Sequence, residues 1–190
     1  ENNEAIWILA REQTRGRGRR GRPWYSSKNN FTASFLMYPN VNESKLPLYS
    51  YVAGIALYEA VISLKVRPSQ LYLKWPNDLI LNNKKIGGIL LESANTSLKK
   101  KAALVIGFGL NLVSSPPQNF LESDAILTDS LKNSIPIVPE VVDFLKILML
   151  SFDSWNNIFV ERGFKKIQEA FLSRTVPIGT KIKVKSVGKS

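Results

Sequence analysis

The spacing of apolar residues predicts an α+β fold of several strands and three helices. Short apolar runs bounded by Pro, Gly and Asn recur between residues 5 and 112, one helical stretch interrupts them, and two more follow residue 139. Strands and helices therefore do not alternate as a doubly wound sheet requires. The chain has 190 residues, 44% apolar and 22% charged, which is enough for a substantial core.

The run Ala5-Ile-Trp-Ile-Leu-Ala10 predicts a buried strand, and Phe31 to Tyr38 a second one closed by Pro39-Asn40. Between Tyr49 and Lys65, Val52, Ala53, Ala56, Ala60, Val61 and Leu64 keep helical spacing. They predict a helix with one apolar face, ended by Arg67-Pro68. Leu71 to Trp75 predicts a strand stopped by Pro76. Residues 78–81 and 86–92 predict a hairpin around Asn82-Asn83, whose side chains tolerate positive φ. Residues 102–112 predict another buried strand, with Gly107 and Gly109 where something approaches the backbone. An irregular stretch follows from Ser114. A helix then starts at Pro139-Glu140 and runs to Gly163, and a shorter one spans Phe164 to Leu172. Lys99 to Lys101 read as a solvated turn. In the tail, Ile182 and Val184 alternate with lysines as one strand, which cannot stand alone and is expected to open a small β domain cut short here.

Charge narrows the function. The 26 basic and 15 acidic residues leave a formal net charge of +11, which favours anionic partners. His and Cys are both absent. That excludes disulfides, thiolate and imidazole metal sites, and nucleophilic triads, so chemistry must run on Lys, Arg, carboxylates, amides and a hard metal ion. No run of about 18 apolar residues suggests a membrane span. Six of the nine arginines lie between Arg11 and Arg22, with Gly16, Gly18 and Gly21 among them. Arginine supplies a fork of donors for carboxylate or phosphate, and glycine lets backbone approach a ligand. On this stretch alone, an anion-binding loop, a solvated basic loop and an Arg/Gly nucleic-acid arm all remain open.

Three segments decide among them: Gly16-Arg-Gly-Arg-Arg-Gly-Arg22 followed by Trp24; Lys74-Trp-Pro-Asn-Asp78 followed by Lys85-Ile-Gly-Gly-Ile89; and Gly107-Phe-Gly-Leu-Asn111. In order and spacing they resemble the catalytic domain of biotin–protein ligases, from about Ile6 to Arg174. The resemblance implies a class II synthetase-like catalytic fold over residues 1–174, a mixed β-sheet flanked by helices that lacks an upstream Ser-Thr-Asn segment, and the start of an SH3-like domain over 175–190. It implies a two-step reaction in which biotin and MgATP give biotinyl-5′-AMP, and a lysine of a biotin carboxyl carrier protein then takes the biotin. It further implies a cytoplasmic enzyme, with homodimerisation left open. No helix-turn-helix segment supports DNA binding. A lipoate–protein ligase, with the same fold and acyl-adenylate chemistry, is the runner-up.

Residue by residue, the resemblance places Gln13 and Gly16 at the ureido head of biotin, and Arg17, Gly18 and Arg19 on the ligand loop, with Arg19 at the carboxylate and phosphate. Lys74 falls on the essential lysine that bridges the biotin carboxylate and the α-phosphate. Gly87 and Gly88 let the strand lie flat against biotin. Trp24 covers adenine, Asn111 hydrogen-bonds it, Asn77 serves the nucleotide, and Asp78 is the candidate metal ligand. Residues 15 to 22 have almost no apolar anchor, so they are expected to order over a bound anion as a lid.

Overall fold

In a computed structural model of the protein, residues 4–94, 102–121, 125–176 and 179–180 are described. Lys99 to Lys101 and the tail strand around Ile182 and Val184 lie outside them. The strands are β1 (Ile6–Leu9), β2 (Phe31–Met37), β3 (Leu71–Lys74), β4 (Asp78–Leu81), β5 (Lys84–Ala94) and β6 (Ala103–Leu110). They form one sheet in the order β1-β2-β6-β5-β4-β3. Every strand ladder in it is antiparallel. Among the described residues, parallel pairing is confined to two isolated bridges, Leu73 with Thr175 and Lys85 with Thr128. The β4–β5 turn is the expected one, with Asn82 at φ 50° and Asn83 at φ 61°.

Among the described residues the α-helices are α1 (Tyr49–Ile62), α2 (Val141–Arg162) and α3 (Phe164–Leu172). Helix α1 packs on β3, β4 and β5 and on α2 and α3, while α2 also meets β2. It is therefore not a one-faced surface helix. Val52 through Tyr58, Ala60 and Val61 are all buried, because sheet and helices enclose it. It also stops short of Pro68: Lys65, at φ 65°, turns the chain first.

Antiparallel pairing alternates side chains between two faces. Trp7, Phe35 and Ile106 lie abreast across β1, β2 and β6, as do Leu9, Ala33 and Phe108. This is the helix face, where Phe152 of α2 meets Trp7, Phe35 and Phe108 edge-on. Ile6 and Ile8 point the other way and are 48% and 58% exposed. The opening apolar run is thus a half-buried edge strand rather than a fully buried one. The sheet's other face carries Thr32, Ser34, Gly107, Gly109 and Gly88, small residues that cannot fill the space above them.

Phe152 is 1% exposed and joins the aromatic cluster, whereas Leu150 on the same helix is 73% exposed. Phe152→Ala should lower stability by about 3–5 kcal/mol, and Leu150→Ala by no more than about 0.5 kcal/mol, read from urea midpoints. Equal shifts would contradict the helix-face assignment.

Candidate active site

A cavity of about 1040 Å³ lies over the helix-free face of the sheet. That is the upper end of the range for small-molecule and cofactor sites, with room for more than one small ligand. Its floor is built from β2, β5 and β6, and its walls come from three loops and the segment that follows α3.

The arginine loop forms the first wall. It folds back on itself: Gly18 N–H donates to Arg22 O at 2.7 Å, Trp24 N–H donates to Gly16 O at 2.9 Å, and Arg17 pairs with Pro23. Arg20 and Gly21 turn the tip at φ 59° and 72°. Gly16 cannot be larger, because a Cβ there would lie 2.8 Å from Trp24 O and 2.9 Å from Gln13 Oε1. Arg17 reaches across 75 residues to Glu92 Oε1, donating from Nη2 at 2.7 Å. That pair is exposed and anchors the loop only weakly. Arg19 has no ion-pair partner among the described residues and lines the cavity.

The loop delivers Trp24 onto the floor. A Cβ on Gly109 would overlap the indole, with its Nε1 2.9 Å away. Glycine at 109 is thus what admits the ring to the sheet. Tyr25 and Phe120 meet edge-to-face at 5.4 Å on the same side.

The Lys74–Asp78 turn forms the second wall. Lys74 sits opposite Asp78 in the β3–β4 ladder, is exposed, and has no ion-pair partner among the described residues. The Asn77 amide nitrogen donates to Ile89 O at 2.8 Å, and Ile89 N–H donates back to Asn77 O at 3.0 Å. Asn77 therefore braces the turn against β5. Asp78 Oδ1 pairs with Lys85 Nζ at 2.6 Å, with side chains 18% and 27% exposed. Lys85 Nζ also lies 5.8 Å from the centre of the Trp24 ring.

Lys85 is the residue that the sequence pattern hides. Simple alternation would put Lys85 and Gly88, three positions apart, on opposite faces. The register between β4 and β5 slips, so that Leu79 opposes Gly87 but Ile80 opposes Lys85. This bulge reverses the alternation and returns Lys85 to the cavity side. A Cβ on Gly88 would lie 3.5 Å from Lys85 Nζ.

The third wall is residues 125–128, joined to Lys85 by the isolated parallel bridge at Thr128. Lys85 N–H donates to Leu127 O, and Asp129 N–H donates to Lys85 O. Asn111, 3% exposed, donates its amide nitrogen to Asp129 O at 3.0 Å. Burial raises the Asp129 pKa, but hydrogen bonds from Asn133, Lys84 and Ser130 outweigh it and hold the carboxyl below its ordinary value.

Of the predicted residues, Gln13, Arg17, Gly18, Arg19 and Trp24 converge on this cavity with Lys74, Asn77, Asp78, Gly88 and Asn111. Gly16 and Gly87 do not line it. Gly16 makes the loop turn, and a Cβ on Gly87 would lie 2.9 Å from Gly109 O, on the helix side of the sheet. Among the described residues no group of three or more His, Cys, Asp or Glu could hold a metal ion. None of their helices is long and apolar enough to cross a membrane.

A family model described as "Biotin/lipoate A/B protein ligase family" matches residues 1–111. The chain is 36% identical over 179 residues to the biotin--[acetyl-CoA-carboxylase] ligase of Paracoccus denitrificans, covering 94% of this chain and 74% of that protein. It is 32% identical over 175 residues to biotin--protein ligase 2 of Arabidopsis thaliana, covering 90% of this chain and 51% of that protein. The biotin protein ligase of Aquifex aeolicus in complex with biotin and ATP superposes with a TM-score of 0.73 at 27% identity, over 90% of this chain and 68% of that one. The Leishmania major biotin protein ligase in complex with biotin, at 22% identity, has a TM-score of 0.79 and shares the fold over 99% of this chain and 77% of that one.

Gly109→Ala should displace Trp24, raising acrylamide quenching of its emission, isolated by difference against Trp24→Phe. Gly107→Ala should not, because its Cβ would meet Leu90 O at an ordinary 3.6 Å. Equal quenching in both variants would mean that the indole does not rest on Gly109.

Proposed function

Since the chain belongs to the biotin/lipoate A/B protein ligase family, we propose that it activates biotin with ATP and transfers it to a lysine of a biotin carboxyl carrier protein. The observation that carries this reading is the convergence of the arginine loop, Lys74 and Lys85 on one cavity large enough for an acid and a nucleotide together. In the first step a biotin carboxylate oxygen bonds to the α-phosphorus, the α–β bridging bond breaks, and pyrophosphate leaves. In the second, the acceptor amine bonds to the acyl carbon, the carbon–oxygen bond to AMP breaks, and the amine proton passes to solvent. Neither step needs a protein nucleophile. The protein's work is to hold two anions together, stabilise charge at the α-phosphate and exclude water.

Of the two lysines, Lys85 is deeper, is fixed by Asp78 and lies under Trp24, so we give it the bridge between carboxylate and phosphate. Lys74 stands at the mouth. Arg17 and Arg19 supply further donors on the loop, and release of Arg17 from exposed Glu92 costs little. Trp24 and Asn111 form the base end. Gln13 is the polar group for the ureido head, which lipoate lacks. Asp78, whose carboxylate lines the cavity, would be the residue to hold the nucleotide's magnesium, an ion that takes most of its ligands from phosphate and water. The proposal includes a cytoplasmic location. For a homodimer the candidate surface is β1, which among the described residues is an edge strand with exposed Ile6 and Ile8.

Pyrophosphate release with biotin as the sole added acid tests the reading; release with lipoate and not biotin would overturn it. Lys85→Ala should slow adenylation by about a hundredfold or more, and exposed Lys74→Ala by about tenfold at most. The reverse order would return the bridge to Lys74. Trypsin should cut between Arg15 and Arg22 rapidly in the free enzyme and slowly with biotin plus ATP. Unchanged cleavage would mean that this loop is no lid.

A further inference from the structure

Asp129 does not line the cavity, yet three donors converge on its carboxylate. Lys84 Nζ donates at 3.0 Å, Ser130 N–H at 2.8 Å and the Asn133 amide at 2.6 Å. Its backbone is equally committed, since its N–H donates to Lys85 O and its carbonyl accepts from the Asn111 amide nitrogen. The consequence falls on Asn111. A primary amide has one donor end and one acceptor end. With the nitrogen bound to Asp129 O, the carbonyl oxygen is the end left for the cavity that Asn111 lines.

Building on the proposed adenylation, we propose that Asp129 is a positioning residue for nucleotide recognition. By anchoring its own carbonyl against Asn111, it turns an acceptor toward the ligand and makes the base end select a purine carrying an exocyclic amino group. A purine with a carbonyl at that position would set two acceptors against each other. Lys84 and Lys85 divide the labour: Lys84 reaches back to clamp Asp129, while its neighbour faces the cavity.

The test compares the full chain with Asp129→Ala and Lys84→Met, using pyrophosphate release with ATP or with inosine triphosphate, whose base bears a carbonyl in place of the amino group. Biotin binding without nucleotide is measured alongside by calorimetry. Asp129→Ala should raise the KM for ATP about tenfold and lower the preference for ATP over inosine triphosphate about tenfold, with biotin binding changed by less than about twofold. Lys84→Met removes one of the three donors, should move the preference in the same direction by less, and carries the test if Asp129→Ala fails to fold. An unchanged preference in an active Asp129→Ala or Lys84→Met enzyme would overturn the proposal alone. Loss of biotin binding equal to the loss of nucleotide binding would also overturn it, by showing a general collapse of the cavity. Absence of biotin-dependent pyrophosphate release in the unaltered protein would overturn the enzymatic reading and this proposal together.

Discussion

Among the described residues, helices cover only one face of the sheet, and the rest of the molecule answers to that asymmetry. On the covered face, Phe31, Phe35, Phe108, Phe144 and Phe152 are almost wholly buried. On the other face, an apolar surface of the same kind would be exposed over several strands, an invitation to association. At the centre of that face this protein places Thr32, Ser34, Gly88, Gly107 and Gly109 instead, which leaves a recess. Trp24 and the 125–128 segment roof part of it, and cations line its rim. A site for anions follows from the small side chains of one face as directly as the core follows from the large side chains of the other.

The ion pairs differ in weight according to where they lie. Arg17 and Glu92 are 63% and 44% exposed, so their pair is screened and readily exchanged for a ligand anion. Lys85 and Asp78 are less than half as exposed, which makes Lys85 a fixed charge. Arg174 does a third kind of work. Its guanidinium binds Glu59, lies over the rings of Tyr58 and Trp155, and its carbonyl accepts from Leu73 N–H. The chain beyond α3 is thereby fastened to β3, next to Lys74 at the cavity mouth.

Much of this was legible in residue order. Proline and asparagine marked the ends of β2, β3 and the β4–β5 turn, because those residues restrict or permit particular backbone angles wherever they occur. The spacing of Gly107 and Gly109 announced a close approach, and Trp24 makes it. What stayed hidden depends on pairing between distant segments. The burial of α1 on nearly all sides needs both the sheet and α2. The reversal at Lys85 needs the slipped register between β4 and β5, which no local pattern reveals. The role of Asp129 needs Asn111, Lys84 and the 125–131 segment in one place. Strict alternation from Ile6 to Leu9 was masked because solvent-facing Ile6 and Ile8 are apolar too.

In the proposed reaction the carboxylate oxygen of biotin itself becomes bonded to the α-phosphorus. Biotin labelled with ¹⁸O in its carboxyl group reports this bond directly when turnover is carried through to the modified carrier protein. The expected result is AMP containing one labelled oxygen per turnover, with pyrophosphate unlabelled. Unlabelled AMP, or label in the pyrophosphate or in free phosphate, would show that carboxylate and α-phosphate do not meet in this site.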